Sequence, residues 1–186
     1  MKQLLITTHL YTFAVICVIA TTISSCTFKK KTDMETPTGT KENELTMLVG
    51  TYTSGDSKGI YSFRFNEETG TATALSETEV ENPSYLAVSA DGKFIYTVSE
   101  FNNEQAAANA FAFNQEKGTL KLLNSQKTGG EDPCYIITNG NNVITANYSG
   151  GSISVFPIAK DGSLLPASDI IKFEGSGTDK ERQEKS

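Results

Sequence analysis

The sequence lacks most of the residues that build metal, haem and disulfide sites. It has 186 residues, with no tryptophan, three cysteines and one histidine. That histidine is His9, close to the N-terminus, so the rest of the chain offers no histidine-based triad and no histidine-ligated metal. There is also no Cys-x-x-Cys-His motif for haem attachment. These absences argue against a metal centre and leave a redox protein without support.

Positive charge is scarce as well. The chain has 16 Lys and Arg residues against 22 Asp and Glu residues, and its formal net charge is −6. Nucleic-acid binding depends on basic surfaces that neutralise phosphates, and no basic stripe is present. We therefore expect no nucleic-acid partner.

Long apolar runs are missing except at the N-terminus. Residues 4–20 are mostly apolar, follow Lys2, and have about the length of the apolar core of a signal peptide. They lead into Ile23-Ser24-Ser25-Cys26, which resembles the bacterial lipobox. The resemblance implies that residues 1–25 are a lipoprotein signal peptide, removed before Cys26, which is then lipidated. The alternative is a plain transmembrane anchor.

The lipobox resemblance sets the expected layout of the chain. Residues 26–45 are polar and aperiodic, so they are interpreted as a flexible tether after the lipid anchor. Acyl chains would hold the protein on a bacterial membrane, in the cell envelope, facing the periplasm or the cell surface. Cys134 is then the remaining thiol, and we interpret it as a small buried hydrophobe.

From Thr46 onward the sequence repeats itself. Pro83 and Pro133 each lie two residues after a glutamate and two before a tyrosine, and Gly70, Gly118 and Gly162 recur at intervals of 48 and 44 residues. Turn signals divide the second repeat into four predicted strands: Tyr85–Ser89, Lys93–Ser99, Asn109–Phe113 and Leu120–Lys127. Repeats of four antiparallel strands predict an all-β protein, a β-propeller with four-stranded blades. A β-sandwich with accidental similarity is the alternative.

The repeats do not complete a ring. Residues 46–80 supply three strands, and two fuller units follow, Glu81–Gly130 and Glu131–Phe173. That makes about two and a half to three blades, whereas closed propellers have roughly four to eight. Either several copies assemble, or residues 46–186 are the N-terminal part of a longer propeller whose C-terminal blades close it. We favour the second interpretation.

Four segments resemble one known family: LVGTYTSGDSKGIYSFRFNEETG, NPSYLAVSADGKFIYTVSE, ANYSGGSISVFPIAKDGSL and GSGTDKERQE. From about Leu48 to the last residue, the chain resembles the N-terminal portion of the bacterial lactonases of the 6-phosphogluconolactonase type. The resemblance implies a seven-bladed propeller that hydrolyses a sugar lactone without metal or organic cofactor. In that family a His-x-His pair follows the Arg-Gln-Glu segment. Arg182, Gln183 and Glu184 are present here, and those histidines are not.

A candidate site follows from superposing the strand ends of the repeats. We align Gly50-Thr51-Tyr52 with Ser99-Glu100-Phe101 and Ala146-Asn147-Tyr148, each a small, a polar and an aromatic residue. Equivalent strand ends surround one mouth of a propeller channel, so Thr51, Glu100 and Asn147 are predicted to form a polar ring. The links between units carry Asn82 and Asp132 to the same mouth.

Lactone hydrolysis needs a base for water and donors for the oxyanion. Glu100 is the candidate base, and Arg182 could pair with an anionic group of the substrate. The predicted substrate-binding residues are Thr51, Tyr52, Asn82, Asp132, Asn147 and Tyr148. The plainer alternatives are that Glu100 and Arg182 are solvated charges and that the aromatic residues pack between blades.

These interpretations predict a carboxylic ester hydrolase of carbohydrate metabolism whose partner is a small sugar lactone. Phosphorylated sugar lactones are normally cytoplasmic, so an envelope location favours a lactone without phosphate. The alternative function is a non-catalytic envelope propeller that binds a carbohydrate or a protein.

Overall fold

The computed structural model of the protein describes residues 43–179 and residue 181, and these residues form three antiparallel sheets. The first sheet contains β1 (Glu44–Gly50), β2 (Gly59–Asn66) and β3 (Ala72–Glu79). The second contains β4 (Leu86–Val88), β5 (Phe94–Ser99), β6 (Ala107–Asn114) and β7 (Thr119–Lys127). The third contains β8 (Pro133–Thr138), β9 (Asn142–Asn147), β10 (Ser152–Pro157) and β11 (Asp169–Lys172).

This order confirms the predicted all-β fold, with a three-stranded unit followed by two four-stranded units. One boundary moves, because Glu44 and Leu45 pair with Asn66 and Phe65 and so belong to β1 rather than to the tether. The predicted signal peptide, the lipidation site Cys26 and Arg182 lie outside the described residues. Within the described part of the chain, no helix is long and apolar enough to cross a membrane.

The burial of each sheet follows from its neighbours. Successive side chains of a strand point to opposite faces of its sheet. In β5 the residues from Ile95 to Ser99 are all buried, because the second sheet is covered on both faces. In β9 burial alternates, with Val143, Thr145 and Asn147 buried and the residues between them only half-buried.

Two apolar layers join the sheets. The smaller layer lies between the first and second sheets and contains Ile60, Ile95 and Phe111. The larger lies between the second and third sheets, and its buried members are Tyr96, Val98, Ala108, Ala110, Ile136, Val143, Phe156 and Leu164. Stacked in this way, the sheets bring their equivalent strand ends to the same edge.

The turn at Gly162 fastens the third sheet to the second. Its carbonyl oxygen accepts a hydrogen bond from the buried hydroxyl of Tyr96 at 3.1 Å. Gly162 has a φ of +86°, and a β-carbon there would lie 2.2 Å from Cε1 of Phe94. Only glycine allows both this backbone conformation and this close approach.

Two glycine substitutions separate these two requirements. Gly140 has a φ of +88°, like Gly162, but nothing lies within 4 Å of its ideal β-carbon. We expect Gly140→Ala to lower the free energy of unfolding by about 1 kcal/mol through backbone strain alone. Gly162→Ala should cost a further ~1–3 kcal/mol, because Phe94 must move. Urea unfolding of both variants measures the difference, and equal losses would contradict the packing role of Gly162.

Ionisation of Tyr96 makes the free energy of unfolding depend on pH in the alkaline range. Burial, assisted by the negative charge of Asp91, raises the pKa of Tyr96 from 10.0 to about 12. The folded protein therefore holds this proton more tightly than the unfolded chain, and the resulting stability is present below pH 10 and lost towards pH 12. Tyr96→Phe should flatten this alkaline loss while lowering stability at neutral pH by about 1 kcal/mol. Unfolding curves at several pH values test this, with the exposed Tyr148→Phe as control.

Candidate active site

One edge of the three stacked sheets gathers the chain segments that are expected to carry function. Here β1, β5 and β9 end, and the chain turns back through residues 51–58, 100–106 and 148–151. The links between sheets, residues 80–85 and 128–132, return to the same edge. We call these five segments the mouth. Loops held by a rigid scaffold commonly carry binding and catalytic residues.

Each link is fixed by a residue in the left-handed conformation. Asn82 has a φ of 45° and Asp132 a φ of 49°, which Asn and Asp tolerate better than most other residues. The carbonyl oxygen of Asn82 accepts a hydrogen bond from the backbone N–H of Glu100 at 3.0 Å. That of Asp132 accepts one from the backbone N–H of Tyr148 at 2.8 Å. Glu100 and Tyr148 therefore occupy equivalent positions.

This equivalence corrects the predicted superposition by one residue. Ser99 pairs with the first residue of β6, and Asn147 with the first residue of β10. Thr51 stands opposite the first residue of β2, since its N–H donates to the carbonyl oxygen of Gly59 at 3.0 Å. Thr51, Ser99 and Asn147 thus form one equivalent set, and Tyr52, Glu100 and Tyr148 form the next. The predicted ring of Thr51, Glu100 and Asn147 therefore mixes the two sets, because Glu100 belongs to the second.

Asn147 lies on the buried face of the third sheet rather than at the mouth. Its side chain is 2% exposed. Its Oδ1 accepts a hydrogen bond from the Thr145 hydroxyl at 3.0 Å. Its Nδ2 donates to the hydroxyls of Ser152 at 3.0 Å and Ser154 at 2.8 Å. The prediction that Asn147 faces the mouth is wrong, because its amide stabilises the turn between β9 and β10.

Thr51 is likewise committed to its own loop. Its hydroxyl donates to the carbonyl oxygen of Gly59 at 2.9 Å and contacts the hydroxyl of Ser57. This arrangement closes the loop that carries Tyr52. Thr51 therefore supports the loop from within, and its hydroxyl is not free for a ligand.

Glu100 and Tyr52, both predicted site residues, meet at the mouth. The Tyr52 hydroxyl donates to Oε2 of Glu100 at 3.0 Å, across the boundary between the first and second sheets. Ser84, which carries no sequence signal of function, donates its hydroxyl to the same oxygen. Partial burial and the neighbouring Glu100 carboxylate raise the pKa of Tyr52. Tyr52 thus remains a neutral donor to the carboxylate above the pH at which a free tyrosine ionises.

Asn82 ties the loops of two sheets together. Its Oδ1 accepts hydrogen bonds from the N–H and the hydroxyl of Thr53, each at 3.0 Å. Its Nδ2 donates to the backbone carbonyl oxygen of Glu100 at 3.2 Å. Asn82 therefore positions the segments that carry Tyr52 and Glu100, in addition to lining the mouth.

Asp132 has the corresponding role in the link to the third sheet. Its N–H donates to the carbonyl oxygen of Phe101 at 2.8 Å, and its Oδ2 accepts a hydrogen bond from the Ser149 hydroxyl. The neighbouring Tyr148 is 55% exposed, so its ring is available at the surface. Asp132 and Tyr148 form the third-sheet side of the mouth.

These residues surround a depression of about 300 Å³, lined by Tyr52, Ser54, Asn82, Glu100, Phe101, Asn102 and Asp132. Four of the seven are predicted site residues. A larger cleft of about 680 Å³ lies between residues 103–106 and 127–131, and none of the predicted site residues lines it. The depression is therefore the better candidate, because it contains a carboxylate already oriented by hydroxyl donors.

The interpretation of Cys134 as a buried hydrophobe is wrong, because the residue is exposed. The register of β8 against β9 shifts between Pro133 and Tyr135, so Cys134 lies at an irregularity that takes it out of the pleat. Partial desolvation of the thiol and the charge of Glu100 raise the pKa of Cys134. The thiol therefore lies near the candidate site and is mainly protonated at neutral pH.

The described residues contain no group of three or more His, Cys, Asp and Glu side chains that could hold a metal ion. The chemistry that they do offer is that of a carboxylate, hydroxyl groups and exposed aromatic rings beside a small polar depression. A carboxylate can accept a proton from water, and hydroxyls can donate hydrogen bonds to a substrate.

Comparison with known proteins gives the family. The family model for the lactonases, described as seven-bladed β-propellers, matches residues 46–186. A Bacillus subtilis protein named 6-phosphogluconolactonase is 37% identical over 143 residues, which is 74% of this chain and 40% of that protein.

Solved structures agree with this match. A Bacteroides fragilis protein for which a 6-phosphogluconolactonase function is proposed is 71% identical, with a TM-score of 0.76 over 77% of this chain and 40% of its own. A Pseudomonas aeruginosa protein named periplasmic gluconolactonase is 31% identical, with a TM-score of 0.63 over 72% of this chain and 39% of its own. The chain spans about 40% of the length of curated relatives that it matches. The chain belongs to the lactonase family of seven-bladed β-propellers.

Proposed function

We propose that the protein hydrolyses a sugar lactone, with Glu100 as the general base. The observation that carries this proposal is the Glu100 carboxylate, held at the depression by the hydroxyls of Tyr52 and Ser84. The names of its relatives, 6-phosphogluconolactonase and gluconolactonase, support a sugar lactone as the substrate class.

The reaction opens an internal ester. Glu100 takes a proton from a water molecule, whose oxygen bonds to the lactone carbonyl carbon. The bond between the carbonyl carbon and the ring oxygen then breaks. The ring oxygen receives the proton from Glu100 and becomes a hydroxyl group of the product. The product is the hydroxy acid, which releases its carboxyl proton at neutral pH. Tyr148 is proposed to contact the sugar ring, and Arg182 to pair with an anionic group where the substrate carries one, such as the phosphate of the 6-phosphate.

The N-terminal segment bears on where the reaction takes place. We propose that lipidated Cys26 anchors the protein in the bacterial envelope, after removal of residues 1–25. Such a location favours a lactone without phosphate, and the name of the periplasmic gluconolactonase from Pseudomonas aeruginosa is consistent with that choice. Gluconolactone and its 6-phosphate are therefore the two substrates to compare.

Glu100→Gln tests the proposed base. The amide keeps the size of the carboxylate but cannot accept the proton, so kcat should fall about 100-fold or more. The assay measures acid release from gluconolactone and from gluconolactone 6-phosphate by the full-length protein. Glu116→Gln is the matched control, because Glu116 is exposed in the turn between β6 and β7, outside the mouth, and it should keep the wild-type rate.

The outcomes distinguish the alternatives. A folded wild-type protein that turns over neither lactone would overturn the hydrolase proposal and favour a propeller that only binds its ligand. Wild-type turnover together with an unimpaired Glu100→Gln variant would keep the hydrolase and remove Glu100 as its base.

Cys26→Ser tests the anchor. In bacterial cells the wild-type protein should sediment with membranes and take up labelled fatty acid, because acyl chains supply the membrane affinity. Cys26→Ser should lose the label, whereas Cys134→Ser should behave like wild type. Labelling that survives in Cys26→Ser would contradict the lipobox interpretation.

A further inference from the structure

We propose that Ser84 is a positioning residue for Glu100: its hydroxyl holds one carboxylate oxygen, so that the other is presented to the reacting water. This inference rests on the proposed function, since it needs Glu100 to act as the base. The sequence gives no sign of it, because a serine after a proline in a link is an ordinary turn residue.

Ser84 and Glu100 share one backbone anchor. The carbonyl oxygen of Asn82 accepts hydrogen bonds from the N–H of Ser84 at 2.8 Å and from the N–H of Glu100 at 3.0 Å. The two backbones are thereby fixed relative to each other, close enough for the side chains to meet. The Ser84 hydroxyl then donates to Oε2 of Glu100.

The donors are distributed unevenly over the carboxylate. Both hydrogen bonds that described residues make to it go to Oε2, one from Ser84 and one from Tyr52. Ser84 is half-buried and belongs to the link of the same sheet, whereas Tyr52 is 57% exposed and comes from the neighbouring sheet. Ser84 is therefore the less mobile donor, and it loses little side-chain entropy when it holds the carboxylate.

The repeat itself offers a natural comparison. In the third sheet, Cys134 follows Pro133 as Ser84 follows Pro83, and Tyr148 stands where Glu100 stands. In the second sheet the hydroxyl of Ser84, a strong donor, thus accompanies the Glu100 carboxylate. In the third sheet the equivalent position holds the weakly donating thiol of Cys134, and Tyr148 replaces the carboxylate. The same comparison indicates that the link folds with either residue, so the turn does not require serine.

The experiment measures kcat and KM for lactone turnover in the full-length protein for Ser84→Cys, Ser84→Ala and Ser84→Thr. In the Cys and Ala variants kcat should fall roughly ten- to hundred-fold, because the carboxylate loses a donor that orients it, with KM little changed. Ser84→Thr keeps the hydroxyl and should keep the wild-type kcat.

Ser89→Ala is the matched control. The Ser89 hydroxyl also donates to a carboxylate, Oδ1 of Asp91 at 2.7 Å, but in the hairpin at the other end of the second sheet. This variant should keep the wild-type kcat and KM. If Ser84→Ala does not fold, Ser84→Cys carries the test, because its side chain has nearly the same shape as serine.

Two failures remain distinct. A wild-type protein that turns over no lactone removes the proposed function, and this inference with it. An active wild type with Ser84→Cys and Ser84→Ala unchanged in kcat overturns the positioning role alone. Loss of activity in Ser84→Thr equal to that in Ser84→Ala would also overturn it, since the hydroxyl would then be irrelevant.

Discussion

The candidate site depends on two backbone hydrogen bonds between a link and a strand end. Asn82 and Asp132, both in the left-handed conformation, offer their carbonyl oxygens to the N–H groups of Glu100 and Tyr148. Such a conformation costs about 1–2 kcal/mol per residue, which the hydrogen bonds and the packing of the following strand offset. Without these two contacts, the links would not bring their polar residues to the mouth in a fixed register.

The second requirement is that the sheets stack. The proposed base and its donors come from two sheets, because Tyr52 follows β1 while Ser84 and Glu100 flank β4 and β5. Asp132 belongs to the link that leads into the third sheet. The apolar layers that hold the sheets face to face therefore also hold the depression together. Stability and the geometry of the site are in this sense supported by the same packing.

The repeat made much of this predictable. The intervals between prolines and glycines, and the turn signals between apolar runs, identified a three-stranded unit followed by two four-stranded units, as the structure has them. The strand-end pattern also placed Tyr52 and Glu100 in one site, and they are in contact. The pattern of small, polar and aromatic residues misaligned the second repeat by one position, placing Glu100 with Asn147 instead of Tyr148. Residue type does not determine which backbone N–H group donates to which carbonyl oxygen.

The amino-acid sequence alone establishes the all-β repeat, the polar strand ends and the family. Which side chain at each strand end faces the mouth depends on the tertiary structure. Because side chains alternate along a strand, a register error of one residue exchanges buried Asn147 for exposed Tyr148. The exposure of Cys134 follows from a shift in the pairing of β8 with β9, and the contact of Ser84 with Glu100 from a shared carbonyl. Both depend on contacts between residues distant in the chain, which local patterns do not encode.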